Sequence, residues 1–315
     1  MQAQPEKPNL EVFAQTLLEL AQQDKDILVV TSDSRGSGKL VSFGETLPDQ
    51  LIEVGIAEQN LVGIAAGLAS CGKKVFAVSP ASFLTARALE HIKNDIAYSD
   101  QPVTLVGISA GVSYGALGST HHSLHDIAAL RAIHNIDLVI PGDNAETRAA
   151  VRSAVDYPHP LFLRFGKRPL PHLYNGNFSF TIGKANVLSD GNDVAIIATG
   201  ETVVQALQAA RQVNERGVSV RVISMHTLKP LDEEAVRLAA RECKVVLTVE
   251  EHSMFGGLGE ACASVILQAG LGPKFKILAI PDEDTVTGAQ PDIFRHYGLM
   301  ADGLISQILQ SLNLT

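Results

Sequence analysis

The sequence predicts an α/β protein made of two doubly wound domains, and three observations carry that expectation. Short apolar runs alternate with longer segments of helical period along the whole chain. The runs are nearly continuous in Val, Ile, Leu and Ala, the pattern of strands buried on both faces of a parallel sheet. At 315 residues the chain can build about two cores, and a basic, Pro-rich break, Gly166-Lys167-Arg168-Pro169-Leu170-Pro171, falls near its middle. The expected domains are 1–170 and 171–315.

The first stretch, Met1 to Pro8, is a polar lead-in without the basic start or apolar centre of a signal peptide. Asn9 is the expected N-cap of a helix that carries Leu10, Phe13, Leu17 and Ala21 on one face. A strand, Ile27 to Val30, ends in the loop Thr31-Ser32-Asp33-Ser34-Arg35-Gly36-Ser37-Gly38. Its glycines let backbone N–H groups approach an anion and Arg35 adds charge, although ordinary surface loops share this composition. A short strand, Leu51 to Val54, then leads through Gly55-Ile56-Ala57 to Glu58, at the start of a helix running through Leu61 to Leu68. Strand-to-helix junctions are where open α/β sheets place ligands. Apolar neighbours disfavour the charged form of Glu58, while a helix N-terminus favours it. If desolvation prevails, the carboxyl donates a hydrogen bond to a ring nitrogen; otherwise Glu58 is an ordinary acid in a first helical turn.

A third strand, Lys74 to Val78, ends at Ser79-Pro80-Ala81-Ser82-Phe83, and Phe83 is expected to open a helix reaching about Tyr98. An aromatic residue there is either core or a platform for a flat ring. The fourth strand, Val103 to Ile108, runs into Gly111 to Asp126, which holds three glycines and the histidines His121, His122 and His125. Such a loop is rich in groups that titrate near neutrality. Zinc binding through His121 and His125 lacks the glutamate of His-Glu-x-x-His and any nearby thiolate. Helix Leu124 to Ile133, strand Leu138 to Ile140, helix Ala145 to Val155 and strand Leu161 to Phe165 complete the first domain.

In the second domain, strands at 193–198, 218–223, 245–249 and 276–280 alternate with helices at 202–216, 232–240 and 257–270, which implies a right-handed parallel sheet. Gly256-Gly257-Leu258-Gly259 lacks the dinucleotide spacing, so close strand–helix packing is the expected reason for these glycines. No apolar run reaches the ~20 residues of a membrane helix. Cys71, Cys243 and Cys262 are odd in number and far apart, which fits a reducing cytoplasm rather than a disulfide framework. A net charge of −9 without a basic block argues against nucleic acid or a membrane surface as partner.

Several of these segments, in this order, resemble the C-terminal half of transketolases, and still more the short second subunit of split transketolases. The carriers are Gly55-Ile56-Ala57-Glu58-Gln59-Asn60, Ser82-Phe83-Leu84, Gly118-Ser119-Thr120-His121, Asp126-Ile127-Ala128-Ala129-Leu130-Arg131 and Val249-Glu250-Glu251-His252-Ser253 with Gly256-Gly257-Leu258-Gly259. The resemblance implies a pyrimidine-binding domain, a transketolase C-terminal domain and thiamine diphosphate as cofactor. Glu58 matches the residue that donates a hydrogen bond to the aminopyrimidine and drives deprotonation of the thiazolium carbon. Phe83 matches the aromatic that packs on that ring, and Asp33 an acid near the thiazolium. His121 matches a loop histidine that contacts the donor sugar and assists proton movement. Ser37, Arg35 and Lys167 match positions that hold the sugar phosphate, with Arg164 as a further candidate; Arg87 and His122 stand beside the substrate positions.

The chain departs from the full-length family pattern at Ala86, Leu117, Ser109 and His122, which leaves the cofactor chemistry and opens the substrate: a phosphorylated pentose, or a branched, deoxy or otherwise altered ketose. It also lacks the Gly-Asp-Gly run and following Asn through which relatives hold the diphosphate by a divalent cation. Ser189-Asp190-Gly191-Asn192 is expected to be a turn. The resemblance therefore implies a partner subunit that carries the diphosphate domain and its Mg2+ or Ca2+, a heterotetramer, and ketol transfer between sugar phosphates. The alternative is the beta subunit of a 2-oxoacid dehydrogenase's decarboxylating component.

Overall fold

The computed structural model describes residues 7–174 and 178–314; of the expected lead-in from Met1 to Pro8, residues 1–6 lie outside the described residues. Two sheets organise it, with strands β1 Ile27–Thr31, β2 Leu51–Glu53, β3 Lys74–Pro80, β4 Val103–Ile108, β5 Asp137–Val139, β6 Leu161–Arg164, β7 Asn186–Ser189, β8 Val194–Ala198, β9 Val220–Ser224, β10 Thr227–Lys229, β11 Val245–Ser253 and β12 Lys274–Ile280. The first sheet has the order β10-β5-β6-β4-β3-β1-β2 and the second β12-β11-β8-β9-β7. All pairs are parallel except β10 with β5 and β7 with β9.

Alternation along the strands sets the layers. Val29, Phe76 and Val78 turn to the face covered by the helices Asn9–Ala21 and Asn144–Val155. Val30, Val75 and Ala77 turn to the opposite face, under Leu61, Val62 and Ala65 of the helix Glu58–Ser70. The same apolar cluster continues through Leu138 and Ile140 to Ile197, Met225, Val246 and Cys262, so a continuous apolar core joins the two sheets.

Four local expectations change. The first helix begins at Asn9 itself, with Pro8 in the cap position and no side-chain cap. The Asn9 amide donates instead to the Pro141 carbonyl at 3.2 Å and accepts from Asn144 at 2.9 Å, tying the helix to the far end of the sheet. The helix after β3 starts at Ala81, two residues before Phe83, and is broken into Ala81–Arg87, Leu89–His91 and a π-helical turn Ile92–Tyr98. The Thr85 hydroxyl donates back to the Ala81 carbonyl at 2.7 Å, a bond that competes with regular helix geometry. The helix expected over Leu124 to Ile133 spans Asp126–Arg131. Finally, β10 lies beyond residue 171 yet pairs with β5, so the later half of the chain contributes an edge strand to the first sheet.

The glycines of the second sheet follow the packing expectation. A Cβ on Gly259 would meet Ile277 Cγ2 at 2.5 Å, and one on Gly257 would strike the Glu250 carboxylate. Ser189-Asp190-Gly191-Asn192 bridges β7 and β8, where Asp190 accepts from Arg221 Nε at 2.9 Å.

Candidate active-site cleft

In a parallel sheet all carboxyl ends of the strands lie on one edge, and ligands gather where the strand order reverses. Here the order passes outward from β1 to β2 on one side and to β3, β4 and β6 on the other. The residues that follow β1, β2, β3 and β4 line a cleft of about 260 Å3: Ser32 to Ser34 and Ser37, Ile56 and Glu58, Phe83 and Arg87, and Tyr114. The sequence scatters these groups over about eighty positions, and topology alone collects them.

Local chemistry fixes the rim. Asp33 and Ser109 follow β1 and β4 with φ of 52° and 54°, a left-handed backbone that is costly for residues other than glycine. The Asp33 N–H donates to Glu53 Oε1 at 2.6 Å, and Gly55 N–H donates to the same oxygen at 3.0 Å, so Glu53 locks the ends of β1 and β2 together. Below them the Ser32 hydroxyl donates to the Ser79 hydroxyl at 2.7 Å and joins β1 to β3.

Glu58 is the first residue of its helix and is 3% exposed. Its two carboxylate oxygens accept from Arg87 Nη1 at 3.2 and 3.1 Å. The Arg87 guanidinium also lies 4.6 Å from the Phe83 ring centroid. Phe83 meets His121 edge to face at 5.2 Å, and His121 meets Tyr114 in the same way at 5.2 Å. Lys167 stands over the other ring of this row, 4.7 Å from the Tyr114 centroid, and burial pushes the Tyr114 phenol above its usual range. His121 Nδ1 is within 2.9 Å of the Thr120 hydroxyl.

The structure thus brings together Glu58, Phe83, Arg87, Asp33, Ser37, His121 and Lys167. Three other candidates lie elsewhere. His122 is buried, its ring nitrogens held at 3.0 Å by the Thr285 hydroxyl and at 3.1 Å by the Gly115 carbonyl, and burial pushes its imidazole below the usual histidine range. Arg35 is folded onto the helix Val41–Thr46, where a Cβ on Gly44 would collide with its guanidinium. Arg164 is inside the domain joint, where its Nε donates to Asp126 at 2.7 Å and its Nη2 donates to the carbonyls of Ser123 and Glu251 at 3.1 and 3.0 Å. Sequence reasoning missed Tyr114, Glu53 and the Ser32–Ser79 pair. Tyr114 was the one with a signal, as the sole aromatic in a glycine-rich loop after a buried strand.

A flat, partly exposed ring beside a buried carboxylate, at the switch point of a parallel sheet, suits a flat heteroaromatic ligand with hydrogen-bonding nitrogens. Among the described residues no group of three or more His, Cys, Asp or Glu side chains could hold a metal ion. No helix among them is long and apolar enough to cross a membrane.

Fold and cleft together define a class, that of the α/β proteins with a ring-binding cleft at the switch point of a parallel sheet. Residues 7–172 match the family model described as the transketolase pyrimidine binding domain, and residues 183–304 that of the transketolase C-terminal domain; the chain belongs to the transketolase family. A subunit of an apulose-4-phosphate transketolase from Phocaeicola vulgatus is 50% identical over 95% of this chain and 95% of its own length. A 6-deoxy-6-sulfo-D-fructose transketolase subunit from a Clostridium strain is 36% identical over 81% of this chain and 80% of its own. A solved structure described as a split gene transketolase, an inactive beta4 tetramer, has a TM-score of 0.86 and 33% identity, covering 98% of this chain and 99% of that one. The family's function is thiamine-dependent ketol transfer, and the 2-oxoacid dehydrogenase alternative is not favoured.

Proposed function

We propose that this chain is the ring-binding subunit of a split transketolase that moves a two-carbon ketol unit from a ketose phosphate to an aldose phosphate. The carrying observation is the cleft itself, in which the buried Glu58 carboxylate and the Phe83 ring face one space. Thiamine diphosphate, when bound, supplies the nucleophilic carbon. Glu58 would hold a proton at the pyrimidine and so set that ring's protonation, Phe83 would orient the ring, and Asp33, on the cleft rim, would serve the thiazolium. His121, braced between Phe83 and Tyr114, contacts the donor's hydroxyls and moves a proton there. Ser37 and Lys167 hold the anionic end of the sugar, and Tyr114 limits the room beside it.

The diphosphate and its Mg2+ or Ca2+ belong in this proposal to a partner subunit, because the sequence has no Gly-Asp-Gly run to hold them. The names of relatives, which speak of one subunit among others and of a split gene, support such a partner, with which this chain forms a heterotetramer in our reading. The division near residue 170 into a pyrimidine-binding and a C-terminal domain is part of the same proposal, as is a cytoplasmic location. An altered ketose is favoured as donor: the similar proteins are named for apulose-4-phosphate and for 6-deoxy-6-sulfo-D-fructose, and Leu117 and Ser109 replace polar positions of the family pattern.

The test is Glu58→Ala in the complex reconstituted with the diphosphate-domain subunit. Ketol transfer from apulose-4-phosphate collapses if the proposal holds, and unchanged turnover refutes it.

A further inference from the structure

Arg87 fills the space between the two groups that a cofactor ring requires. Its guanidinium stacks over Phe83 at 4.6 Å and reaches both oxygens of Glu58 with one nitrogen. A guanidinium is planar, rich in N–H donors and able to lie on an aromatic face. It therefore offers this corner the same kinds of contact as an aminopyrimidine. The two partners are unequally fixed: the Glu58 side chain is 3% exposed and the Arg87 side chain 50%. Among the described residues no other hydrogen bond reaches the Glu58 carboxylate. A buried carboxylate without a partner is costly, whereas a half-exposed arginine held by its tip is free to leave.

We propose that Arg87 is a placeholder for the cofactor ring. It keeps Glu58 paired and Phe83 covered until the ring takes over both contacts, and the released guanidinium then meets the anionic end of the sugar phosphate. This deepens the thiamine diphosphate reading and rests on it. Cofactor binding and completion of the substrate site become one event, so the cofactor binds before the sugar phosphate.

The experiment is calorimetry of thiamine diphosphate binding to the complex of this chain with the diphosphate-domain subunit, comparing wild type, Arg87→Met and Arg87→Lys. Removing the competitor raises cofactor affinity, by about tenfold for Arg87→Met, equivalent to 1.4 kcal/mol; Arg87→Lys, which keeps the charge but loses the plate, falls between. In steady state the KM for the sugar phosphate rises in both variants while kcat at saturation changes less. Cofactor affinity that is unchanged or weaker in both variants overturns the proposal, since it would make Arg87 inert or a direct cofactor ligand. A second readout uses the full chain without cofactor: a double-mutant cycle of Arg87→Met and Glu58→Gln on urea unfolding shows coupling between the two residues, and additive effects overturn the proposal. No binding of thiamine diphosphate by the wild-type complex would bring down the functional reading along with it.

Discussion

Glu58 in the cleft and Asp126 in the domain joint are both buried carboxylates paired with an arginine, at 3.1 and 2.7 Å. Their arginines differ. Arg164 is 6% exposed and spends its other donors on two backbone carbonyls from two segments, whereas Arg87 is half exposed and anchored only by its tip. Around Asp126 the joint carries a network of further hydrogen bonds. The amide of Gln290 donates to Glu201 at 2.9 Å and to Glu251 at 2.7 Å, Val112 N–H donates to Glu251 at 2.8 Å, and Glu250 accepts from the N–H groups of Leu258 and Gly259 at 2.7 and 2.8 Å. Buried polar groups with several fixed partners specify one arrangement of the two sheets, while a buried acid with one replaceable partner is suited to exchanging it for a ligand.

The largest expected effect breaks the joint. Arg164→Met leaves Asp126 buried without its cation and costs about 3–5 kcal/mol in urea unfolding. Arg87→Met removes a half-exposed side chain and lets water reach Glu58 in its place, so it costs less, about 1 kcal/mol. Equal losses would erase the distinction between the two sites. Next, Glu58→Gln in the reconstituted complex lowers kcat by about 10²- to 10³-fold, the scale of a positioned proton donor, with little change in unfolding midpoint. Glu251→Gln does the reverse and leaves turnover near wild type.

A pH series sharpens the contrast. Burial raises Glu250 to about 7, and burial together with the charge of Glu201 raises Glu251 to about 8, from an unperturbed 4.5. The folded joint therefore keeps protons that the unfolded chain has released, and their contribution to stability falls as pH rises from 4.5 to about 8. On the acid side burial depresses His252 to about 4 from 6.5, so its contribution is lost as pH falls through that interval. Burial also works to raise Asp126, but the charges of Arg164 and His252 override it and hold the carboxyl below its usual range. Between pH 6.5 and 8 the two glutamates act without His252, and Glu251→Gln flattens the slope of the urea midpoint there. An unchanged slope would contradict the assignment. The smallest effect concerns the cleft wall: Tyr114→Ala raises the donor KM by about fivefold, the worth of one aromatic contact of roughly 1 kcal/mol.

The same contrast governs what the sequence disclosed. The parallel alternation and the Glu58 junction were legible because β1, β3, β4, β8 and β11 are continuous apolar runs set between helical periods. The edge strands β7 and β10 were not, being three or four residues long and defined by antiparallel partners far away in the chain. Glu58, Phe83, Asp33 and Lys167 were brought together by the family resemblance, and each follows a strand that the pattern discloses. Arg164 is the last residue of β6, and its side chain turns into the joint towards Asp126, a choice made by a partner 38 positions away. His122 and Arg35 lie away from the cleft for the same reason: Thr285 and the bare backbone at Gly44 decide where they lie, and neither is visible in local pattern.

In the proposed assembly the cleft is half of a cofactor site, with the ring end here and the diphosphate end on another chain. Calorimetry of thiamine diphosphate with Mg2+ tests it most directly, first against this chain alone and then against its mixture with the diphosphate-domain subunit. The first titration gives no saturable binding and the second gives saturable binding if the site is divided in this way. Tight binding by the isolated chain would contradict that division.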